Sequence, residues 1–374
     1  MKQIVLIILL LFAAFLLAAG VKNPDKPLKG EWDLKPEKVW ELTNANGIVF
    51  AAADFVVSDD GILYVSDFKN QSSFIFDKDG HFKRAFAKRG EGPGEVRLHQ
   101  ASFLANDKFV AGDFGRLHFF TSEGDFIKSM VVNFNNNFPR FFISEDEYIF
   151  TTGNIFVIGA RSWPGKGKIA LFRLKTGEKK TIAEYSYKDK PTQIPGGQPM
   201  RLNDVHSQMI LGYDRKNRKI YYGMNDTYVI YVTELNGTVV NTFSVERSKK
   251  QKIEKEKIAE IFEIMHISGF PKEHVHRFPG ELMHFCRILI DEGLVYVLAV
   301  NLGLYTDSQA MDIFSLDGKY LYRAVFKPGN GSRIYFPAVF NNIEIKNGHL
   351  YAVLEDSDGE ISIAKYKISL PMKK

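Results

Sequence analysis

Three histidines recur at similar positions along the chain, and imidazole is the side chain that most often binds transition metals. His99 and His284 each lie nine residues before the first turn of a repeated unit, and His206 lies at nearly the same place in another unit. Three histidines around one metal leave a position open for water or substrate. Two predictions follow: either His99, His206 and His284 bind one divalent metal such as zinc in a lyase or hydrolase, or each hydrogen-bonds separately and no cofactor is needed.

Four arginines lie close to the same positions, at the starts of the predicted inner strands. They are Arg97, Arg140, Arg201 and Arg287. The planar guanidinium group matches the geometry of carboxylate and phosphate groups. These arginines therefore form either a binding site for an anionic ligand or a rim of salt bridges, because most surface ion pairs bind no ligand.

Other catalytic signatures are missing from the sequence. There is no Gly-x-Ser-x-Gly elbow, no His-Glu-x-x-His helix and no phosphate-binding loop. The lone cysteine, Cys286, falls in a predicted inner strand, where a thiol packs as a small apolar group. The net charge is only +5, and the basic run 249–257 alternates with glutamates, which argues against nucleic acid. We expect a non-catalytic module that binds a protein, peptide or glycan.

The elements that position these residues form a repeat, which is best seen in the segments 55–86 and 102–128. Each has short apolar strands separated by turn pairs such as Asp60-Gly61 and Asp79-Gly80, which predicts a four-stranded antiparallel meander. Six such units follow one another up to residue 370. The sequence therefore predicts an all-β fold, a six-bladed β-propeller over residues 37–370.

The ends of the repeat and one insertion complete this prediction. The sixth unit lacks a fourth strand, and the segment 39–42 belongs to no unit, so we expect this N-terminal strand to close the last blade. Residues 249–268 have a helical period and predict a helical insertion before blade five, which either covers the propeller as a lid or docks a partner. Its apolar face has Ile253, Ile258, Ile261, Phe262 and Met265.

The N-terminus predicts export. Residues 1–20 have a lysine, then an apolar run ending in Ala18-Ala19-Gly20, which is the layout of a signal peptide. The alternative is an uncleaved anchor, which would be the only contact with a membrane, because the run is just long enough to span one. Residues 21–36 are interpreted as a linker. We expect a periplasmic or extracellular location, with the fold stabilised by its core since one cysteine forms no internal disulfide.

Three motifs resemble those of a known family. The segments 63–70, 75–80 and 89–95 are similar to NHL-type repeats, and most of all to the bacterial exported 6-bladed β-propeller family with its Gly-x-Gly-Pro-Gly-Glu loop. The resemblance implies the fold and export, but no general enzymatic activity. Some six-bladed NHL-type lyases place metal-bound histidines at the channel. The glycine loop 90–94 is interpreted as an inter-blade turn whose backbone amides Glu95 caps, with a ligand-binding loop as the alternative.

Overall fold

The computed structural model describes residues 20–369 with internal gaps. Within the described residues the regular secondary structure consists almost entirely of strands, with a helical turn at 256–259 and a 3-10 helix at Lys272–Arg277. The gaps are residues 44–49, 51–52, 114, 133–138, 153–164, 194–204, 248–249, 255, 260–271, 301–304, 330 and 336–341.

Six sheets follow one another along the chain, and in each the successive strands pair in antiparallel fashion. The predicted six-bladed β-propeller of four-stranded blades is therefore confirmed. Blade 1 contains β4 (Ala53–Val57), β5 (Leu63–Asp67), β6 (Ser72–Phe76) and β7 (Phe82–Phe86). Blade 2 contains β8 (Ala101–Ala105), β9 (Lys108–Asp113), β10 (Arg116–Phe120) and β11 (Phe126–Val131). Blade 3 contains β12 (Pro139–Phe142), β13 (Glu147–Thr151), β14 (Lys166–Arg173) and β15 (Lys179–Ser186).

The second half of the ring has additional strands. Blade 4 contains β16 (Met209–Asp214), β17 (Lys219–Met224), β18 (Val229–Glu234) and β19 (Val239–Val245). Blade 5 contains β20 (Phe285–Asp291), β21 (Leu294–Ala299), β23 (Gln309–Ser315) and β24 (Tyr320–Phe326). Blade 6 contains β26 (Ile343–Lys346), β27 (His349–Glu355) and β28 (Ile361–Lys367), with the short strands β22 (Tyr305–Thr306) and β25 (Arg333–Tyr335) beside β27.

The core lies between the faces of neighbouring blades, where aromatic side chains interlock. Between blades 1 and 2, the rings of Tyr64 and Phe109 stack with centroids 5.4 Å apart. Between blades 3 and 4, Phe141 and Tyr213 stack at 5.0 Å. Such ring pairs contribute about 0.5–1.5 kcal/mol beyond the apolar area that they bury. The abundance of Phe and Tyr in the sequence is thus explained by the inter-blade packing.

The ring closes as predicted. The N-terminal strand β3 (Glu37–Leu42) pairs in antiparallel register with β28, so that Trp40 lies opposite Lys365 and Leu42 opposite Ile363. This pairing supplies the fourth strand that the last unit lacks, and removes the two open edges of an unclosed array.

The segment interpreted as a linker is instead a structured strap. Strand β1 (Val21–Asn23) pairs in parallel with β19 of blade 4, and β2 (Glu31–Trp32) pairs in parallel with β24 of blade 5. We call residues 20–36 the strap. It adds a fifth, outermost strand to two blades before the chain enters β3, so the interpretation of 21–36 as a linker is wrong.

Buried side chains hold the strap in place. The Asn23 amide donates to the carbonyls of Ser244 (3.1 Å) and Gly318 (2.9 Å), and its oxygen accepts the backbone N–H of Tyr320 at 2.8 Å. One asparagine thereby satisfies polar groups of blades 4 and 5 together. Further along the strap, the Trp32 indole donates to the Ser369 carbonyl at 2.8 Å.

The insertion before blade five packs on the propeller through its own small core. Ile258 is fully buried, and it lies in an apolar cluster with Phe278 and Leu282 of the same insertion and with Val205 and Val300 of the propeller. The predicted helix over 249–268 is described as helical only at 256–259; the predicted apolar positions 261, 262 and 265 lie outside the described residues. The described part of the insertion covers the region between blades 4 and 5.

Candidate binding site in the central channel

The innermost strand of each blade borders the central channel, because the strands of a propeller blade follow one another outwards from the axis. These strands are β4, β8, β12, β16, β20 and β26. Since every blade repeats the same strand order, the inner strands all begin at one end of the channel and finish at the other. We call these ends the mouth and the floor.

Charged residues of several blades lie at the floor. Arg215, which follows β16 of blade 4, donates from Nη2 to the Leu104 carbonyl of blade 2 at 3.0 Å, although blade 3 lies between them. Lys346, at the end of β26, forms an ion pair with Asp59, which follows β4. The Lys346 hydrogen bond holds the pKa of Asp59 below its usual value, and the charge of Arg215 acts in the same direction. The Arg215 contact thus spans blade 3, whereas the Lys346–Asp59 pair joins the adjacent blades 6 and 1.

An arginine and a glutamate face each other further up the channel. Arg287 Nη2 of β20 lies 3.3 Å from Glu344 Oε2 of β26, and the two side chains are 19% and 29% exposed. Burial raises the pKa of Glu344, although the positive charges of Arg287 and Lys346 oppose the rise. A partly exposed ion pair on two inner strands, with a perturbed carboxyl, has features of a ligand-binding position.

Arg140 lies at the mouth, in the bulged start of β12. Its Nε donates to Thr151 Oγ1 at 3.0 Å, and the residue remains exposed. Burial by the surrounding protein lowers the pKa of the guanidinium, while the nearby Tyr185 and Tyr187 hydroxyls raise it. The arginine is thus held on one side by protein and open to solvent on the other.

The other two predicted arginines do not join these. Arg97 is exposed in the connection between β7 and β8, ahead of the inner strand. Arg201 lies outside the described residues. Of the four arginines predicted to bind a ligand, Arg140 and Arg287 therefore stand on inner strands, with separate partners in Thr151 and Glu344.

The three predicted metal ligands have separate surroundings. His99 donates from Nε2 to the Ala87 carbonyl at 2.7 Å, His206 Nε2 lies 3.1 Å from Thr192 Oγ1, and the His284 ring packs against Tyr228 at 5.9 Å. Among the described residues, which include all three histidines, no group of three or more His, Cys, Asp or Glu is arranged to hold a metal ion. The structure does not bring the three imidazoles together.

His284 is a neutral imidazole in a basic environment. Burial lowers its pKa to about 4, and the charges of Lys250 and Arg247 act in the same direction. Its backbone N–H donates to the Asn225 carbonyl at 2.9 Å, which ties the start of blade 5 to blade 4. This histidine therefore marks an inter-blade junction on the mouth side of the ring.

The charged residues of the floor were not predicted from the sequence. Asp59, Arg215 and Lys346 all occupy the first turn of their units or the residue that leads into it. Alignment of the units on that turn brings these three charged residues to the same level of the ring. The sequence prediction concerns only residues nine positions before the turn, at the mouth, because the turn itself is interpreted as a conformational feature.

The glycine-rich loop has the structural role that was predicted for it. The Glu95 carboxylate accepts the backbone N–H of Gly92 at 2.8 Å, and it occupies the space where a Cβ of Gly90 would lie. Val96 is fully buried beneath the loop. The loop is thus an inter-blade turn capped by Glu95, which leaves no cradle for a phosphate between Gly90 and Gly92.

Within the part of the chain that the structure describes, no helix is long and apolar enough to cross a membrane. The predicted signal peptide or anchor at residues 1–19 lies outside the described residues.

Solved structures of similar fold come from Bacteroides. A member of the DUF4221 family from Bacteroides vulgatus superposes with a TM-score of 0.57 at 12% identity, covering 90% of this chain and 98% of that one. A protein from Bacteroides fragilis named "Putative exported protein" superposes with a TM-score of 0.51 at 10% identity, covering 94% and 99%. At these identities the similarity concerns the fold alone. No curated protein sequence matches the chain.

A family model gives the identity of the chain. The model described as 6-bladed beta-propeller, DUF5128, matches residues 52–293, which contain blades 1 to 4 and the beginning of blade 5. This match covers more than half of the chain and agrees with the six sheets of the structure. The chain therefore belongs to the DUF5128 family of 6-bladed beta-propellers.

Proposed function

We propose that this protein is an exported binding propeller whose central channel holds, without catalysis, an anionic group of a protein, peptide or glycan ligand. The observation that carries the proposal is the Arg287–Glu344 pair, a partly exposed guanidinium on an inner strand beside a carboxyl whose pKa burial raises. Arg287 is partly exposed on an inner strand, so an incoming carboxylate, sulfate or phosphate that reaches it gains a charge-assisted hydrogen bond.

The direction of entry follows from the two ends of the channel. At the floor, Arg215 extends from blade 4 to the Leu104 carbonyl of blade 2. We therefore place ligand entry at the mouth, where Arg140 is exposed. The two arginines on inner strands then contact the ligand in sequence, first Arg140 and then Arg287.

Binding arrays test this proposal. Purified protein is applied to matched sets of acidic and neutral glycans and peptides, followed by titration calorimetry on the best binder. We expect Arg287→Gln to weaken that binding by about tenfold to a hundredfold, which corresponds to the loss of one charge-assisted hydrogen bond of about 1.5–3 kcal/mol. The matched control is Lys180→Gln on the outer strand β15, which is expected to leave the affinity unchanged. Equal affinity of wild type and Arg287→Gln would exclude the channel as the site.

Export is the second part of the proposal. The apolar segment before Val21 ends in Ala18-Ala19-Gly20, and strand β1 begins at the next residue, so cleavage after Gly20 leaves both strands of the strap intact. The structure of similar fold from Bacteroides fragilis carries an export description in its name. N-terminal sequencing of the protein from fractionated cells tests this. We expect Val21 as the first residue and recovery outside the cytoplasm; an intact Met1 in the cytoplasmic fraction would contradict export.

A further inference from the structure

Three polar side chains form a hydrogen-bonded chain across blade 2, far from the channel. Ser129 Oγ on the outermost strand β11 lies 2.9 Å from His118 Nδ1 on β10, and His118 Nε2 lies 3.1 Å from Asp113 Oδ2 at the end of β9. His118 and Asp113 are each 4% exposed, whereas Ser129 is exposed. A buried carboxylate, a buried imidazole and an accessible hydroxyl are thus connected in that order.

The hydrogen bonds assign a role to each ring nitrogen. A carboxylate only accepts, so the bond to Asp113 places the proton of the neutral imidazole on Nε2. Nδ1 then carries the lone pair, and the Ser129 hydroxyl donates to it. This is the arrangement in which a histidine removes a proton from a nucleophile while a carboxylate fixes its tautomer.

The strand register keeps this arrangement in place. Val132 N donates to the Gly115 carbonyl, and hydrogen-bonded and non-hydrogen-bonded pairs alternate along an antiparallel ladder. His118 and Ser129, which lie opposite each other, therefore form a non-hydrogen-bonded pair, in which the side chains approach more closely. By the same alternation the backbone N–H groups of Ser129 and Val131 point away from β10, towards the open edge of blade 2, where they are available to a ligand oxygen.

The hydrogen-bonded series Asp113–His118–Ser129 is specific to blade 2 and is not part of the repeat. At the cross-strand position of His118 and Ser129, blade 1 has Phe74 opposite Ala85. The aspartates differ as well. Asp67, which ends the equivalent strand of blade 1, caps its own turn by accepting the N–H groups of Lys69 and Asn70.

Asp113, by contrast, is directed to His118, and its Oδ1 finds no hydrogen-bond partner among the described residues. His99 lies in the same region: burial lowers its pKa, and the charges of His118 and Asp113 act on it as well. Its Nδ1 also lacks a partner among the described residues. Buried polar atoms without hydrogen-bond partners are rare in folded proteins. The presence of two of them beside the three hydrogen-bonded residues favours a chemical role for these residues over a structural one.

The surroundings of Ser129 indicate the substrate class. Three large apolar residues of the same strand are exposed, Phe126 by 37%, Ile127 by 39% and Val131 by 83%. Exposed apolar groups on both sides of a hydroxyl suit an apolar acyl chain better than a charged one.

We propose that Ser129, His118 and Asp113 form an acyl-transfer site that hydrolyses esters of apolar acids, independently of the ligand site in the channel. Ser129 Oγ bonds to the ester carbonyl carbon while its proton passes to His118 Nδ1. The C–O bond to the alcohol breaks, and the alcohol leaves with that proton. A water molecule, deprotonated by the same nitrogen, then attacks the acyl-serine and releases the acid, which restores the Ser129 hydroxyl. Asp113 is a positioning residue in both steps.

A fluorophosphonate probe tests the nucleophile directly on the purified full-length protein. Attack by Ser129 forms a P–O bond and releases fluoride, and mass spectrometry of the tryptic peptides identifies the modified residue. We expect Ser129 to be labelled at least a hundredfold faster than Ser186, an exposed serine on the outer strand β15 of blade 3. Ser129→Ala should abolish labelling of that peptide, and Ser186→Ala should change nothing.

Labelling rates in variants of His118 and Asp113 distinguish activation of the Ser129 hydroxyl by these residues from simple exposure of that hydroxyl. His118→Gln should slow labelling by at least a hundredfold, within the range for loss of a general base. Asp113→Asn should slow it by at least tenfold, with Asp113→Glu retaining more than Asp113→Asn. Circular dichroism and the urea midpoint verify that each variant is folded. The proposal is overturned if Ser129 reacts no faster than Ser186, or if its rate is the same in folded His118→Gln.

Hydrolysis of p-nitrophenyl butyrate supplies the second measurement. We expect a burst of p-nitrophenol equal to one acyl group per protein, absent in Ser129→Ala. Turnover that persists in Ser129→Ala overturns the assignment even where the probe reacts. Neither assay involves the channel, and Lys180→Gln on the outer strand β15 should keep full activity. Failure here would leave the channel proposal intact.

Discussion

Blades 4 to 6 and blades 1 to 3 are built from the same meander but end differently at the outside of the ring. Blades 4 and 5 receive β1 and β2 of the strap as parallel fifth strands, and blade 6 receives β3. Blades 1 to 3 end at β7, β11 and β15, with no further strand outside them among the described residues. We call these the strapped half and the open half.

The two halves also differ in the ion pairs between their blades. In the strapped half, the nearly buried Asp312 of blade 5 binds Arg247 of blade 4 at 2.6 Å and accepts the Tyr228 and Tyr320 hydroxyls at 2.6 and 2.5 Å. In the open half, Arg84 of blade 1 binds Asp125 of blade 2 at 2.6 Å, with the side chains 47% and 63% exposed.

This difference indicates that the strap and the buried Asp312 network together stabilise the strapped half. An ion pair is strong only where it is desolvated and fully hydrogen-bonded. Asp312 is buried, and the strap contacts its network through Asp25, which binds Arg247 at 3.2 Å. In the open half water screens the equivalent contacts. Stability should therefore be distributed unevenly around the ring, and the open half should exchange its amide protons first.

The largest effect is expected from removing the centre of the network. Asp312→Ala removes the buried carboxylate that Arg247 and Arg323 bind, leaving Arg247 only the exposed Asp25 and two tyrosine hydroxyls without their acceptor. Breaking a buried pair in this way costs about 3–5 kcal/mol. Urea denaturation measures the loss. The matched control is Asp317→Ala in an exposed turn of the same blade, which should cost less than about 0.5 kcal/mol. Equal losses of unfolding free energy in the two variants would show that the Asp312 network contributes no more stability than an exposed turn residue.

The next largest effect is expected at the strap itself. Asn23→Ala leaves the Tyr320 N–H and the Ser244 and Gly318 carbonyls without their buried partner, a cost of about 2 kcal/mol. Hydrogen exchange should show faster opening of β19 and β24, while β10 in the open half stays unchanged. Lys22→Ala, on the exposed side of the same strand, serves as the control. Uniform acceleration over all six blades would contradict the division into halves.

The sequence predicted the blades and the closure because both leave a periodic signal. Turn pairs such as Asp60-Gly61 and Asp79-Gly80 separate the strands, and both glycines adopt the left-handed φ that hairpin turns favour, +88° and +86°. The count of strands then required β3 to pair with β28. The strap left no such signal, since β1 and β2 have three residues and two, too few for an alternating pattern.

The candidate sites were predicted less completely for a different reason. The sequence placed Arg140 and Arg287 correctly on inner strands, since strand order fixes distance from the axis. It placed three histidines at equal intervals as well, but residues just before an inner strand enter the interfaces between blades, each with its own neighbours. His99 contacts Ala87 and His206 contacts Thr192. Equal spacing in the repeat does not make side chains converge.

A smaller effect is expected from acid at the junction of the strapped half. Unfolded histidine protonates near pH 6.5, whereas burial and the charges of Lys250 and Arg247 lower the pKa of His284 to about 4. Between these values the unfolded chain binds more protons, so the free energy of unfolding is fully retained above pH 6.5 and falls as the pH drops towards 4. Because the ring is partly exposed, we expect His284 to account for about 1 kcal/mol between pH 7 and pH 5.

Paired urea titrations at pH 7 and pH 5 measure this contribution. His284→Gln should lose about 1 kcal/mol less than wild type over the same interval. His81→Gln is the control, since the His81 side chain is 76% exposed. A wild-type pH dependence that His284→Gln reproduces in full would assign the acid sensitivity to other groups.

The smallest effect is expected in the open half, where Arg84 joins blade 1 to blade 2. Its guanidinium binds Asp125 Oδ1 and the Glu123 carbonyl, but both charged side chains are solvated, and exposed pairs of this kind contribute about 0.2–1 kcal/mol. Arg84→Ala should therefore lower the urea midpoint only slightly, and 1 M salt should remove the difference, because screening acts on exposed charges far more than on buried ones. Asp312→Ala should keep its full effect at the same salt concentration. If salt affected both variants equally, the two inter-blade contacts would lie in the same dielectric environment, and the strap could not be what distinguishes the halves of the ring.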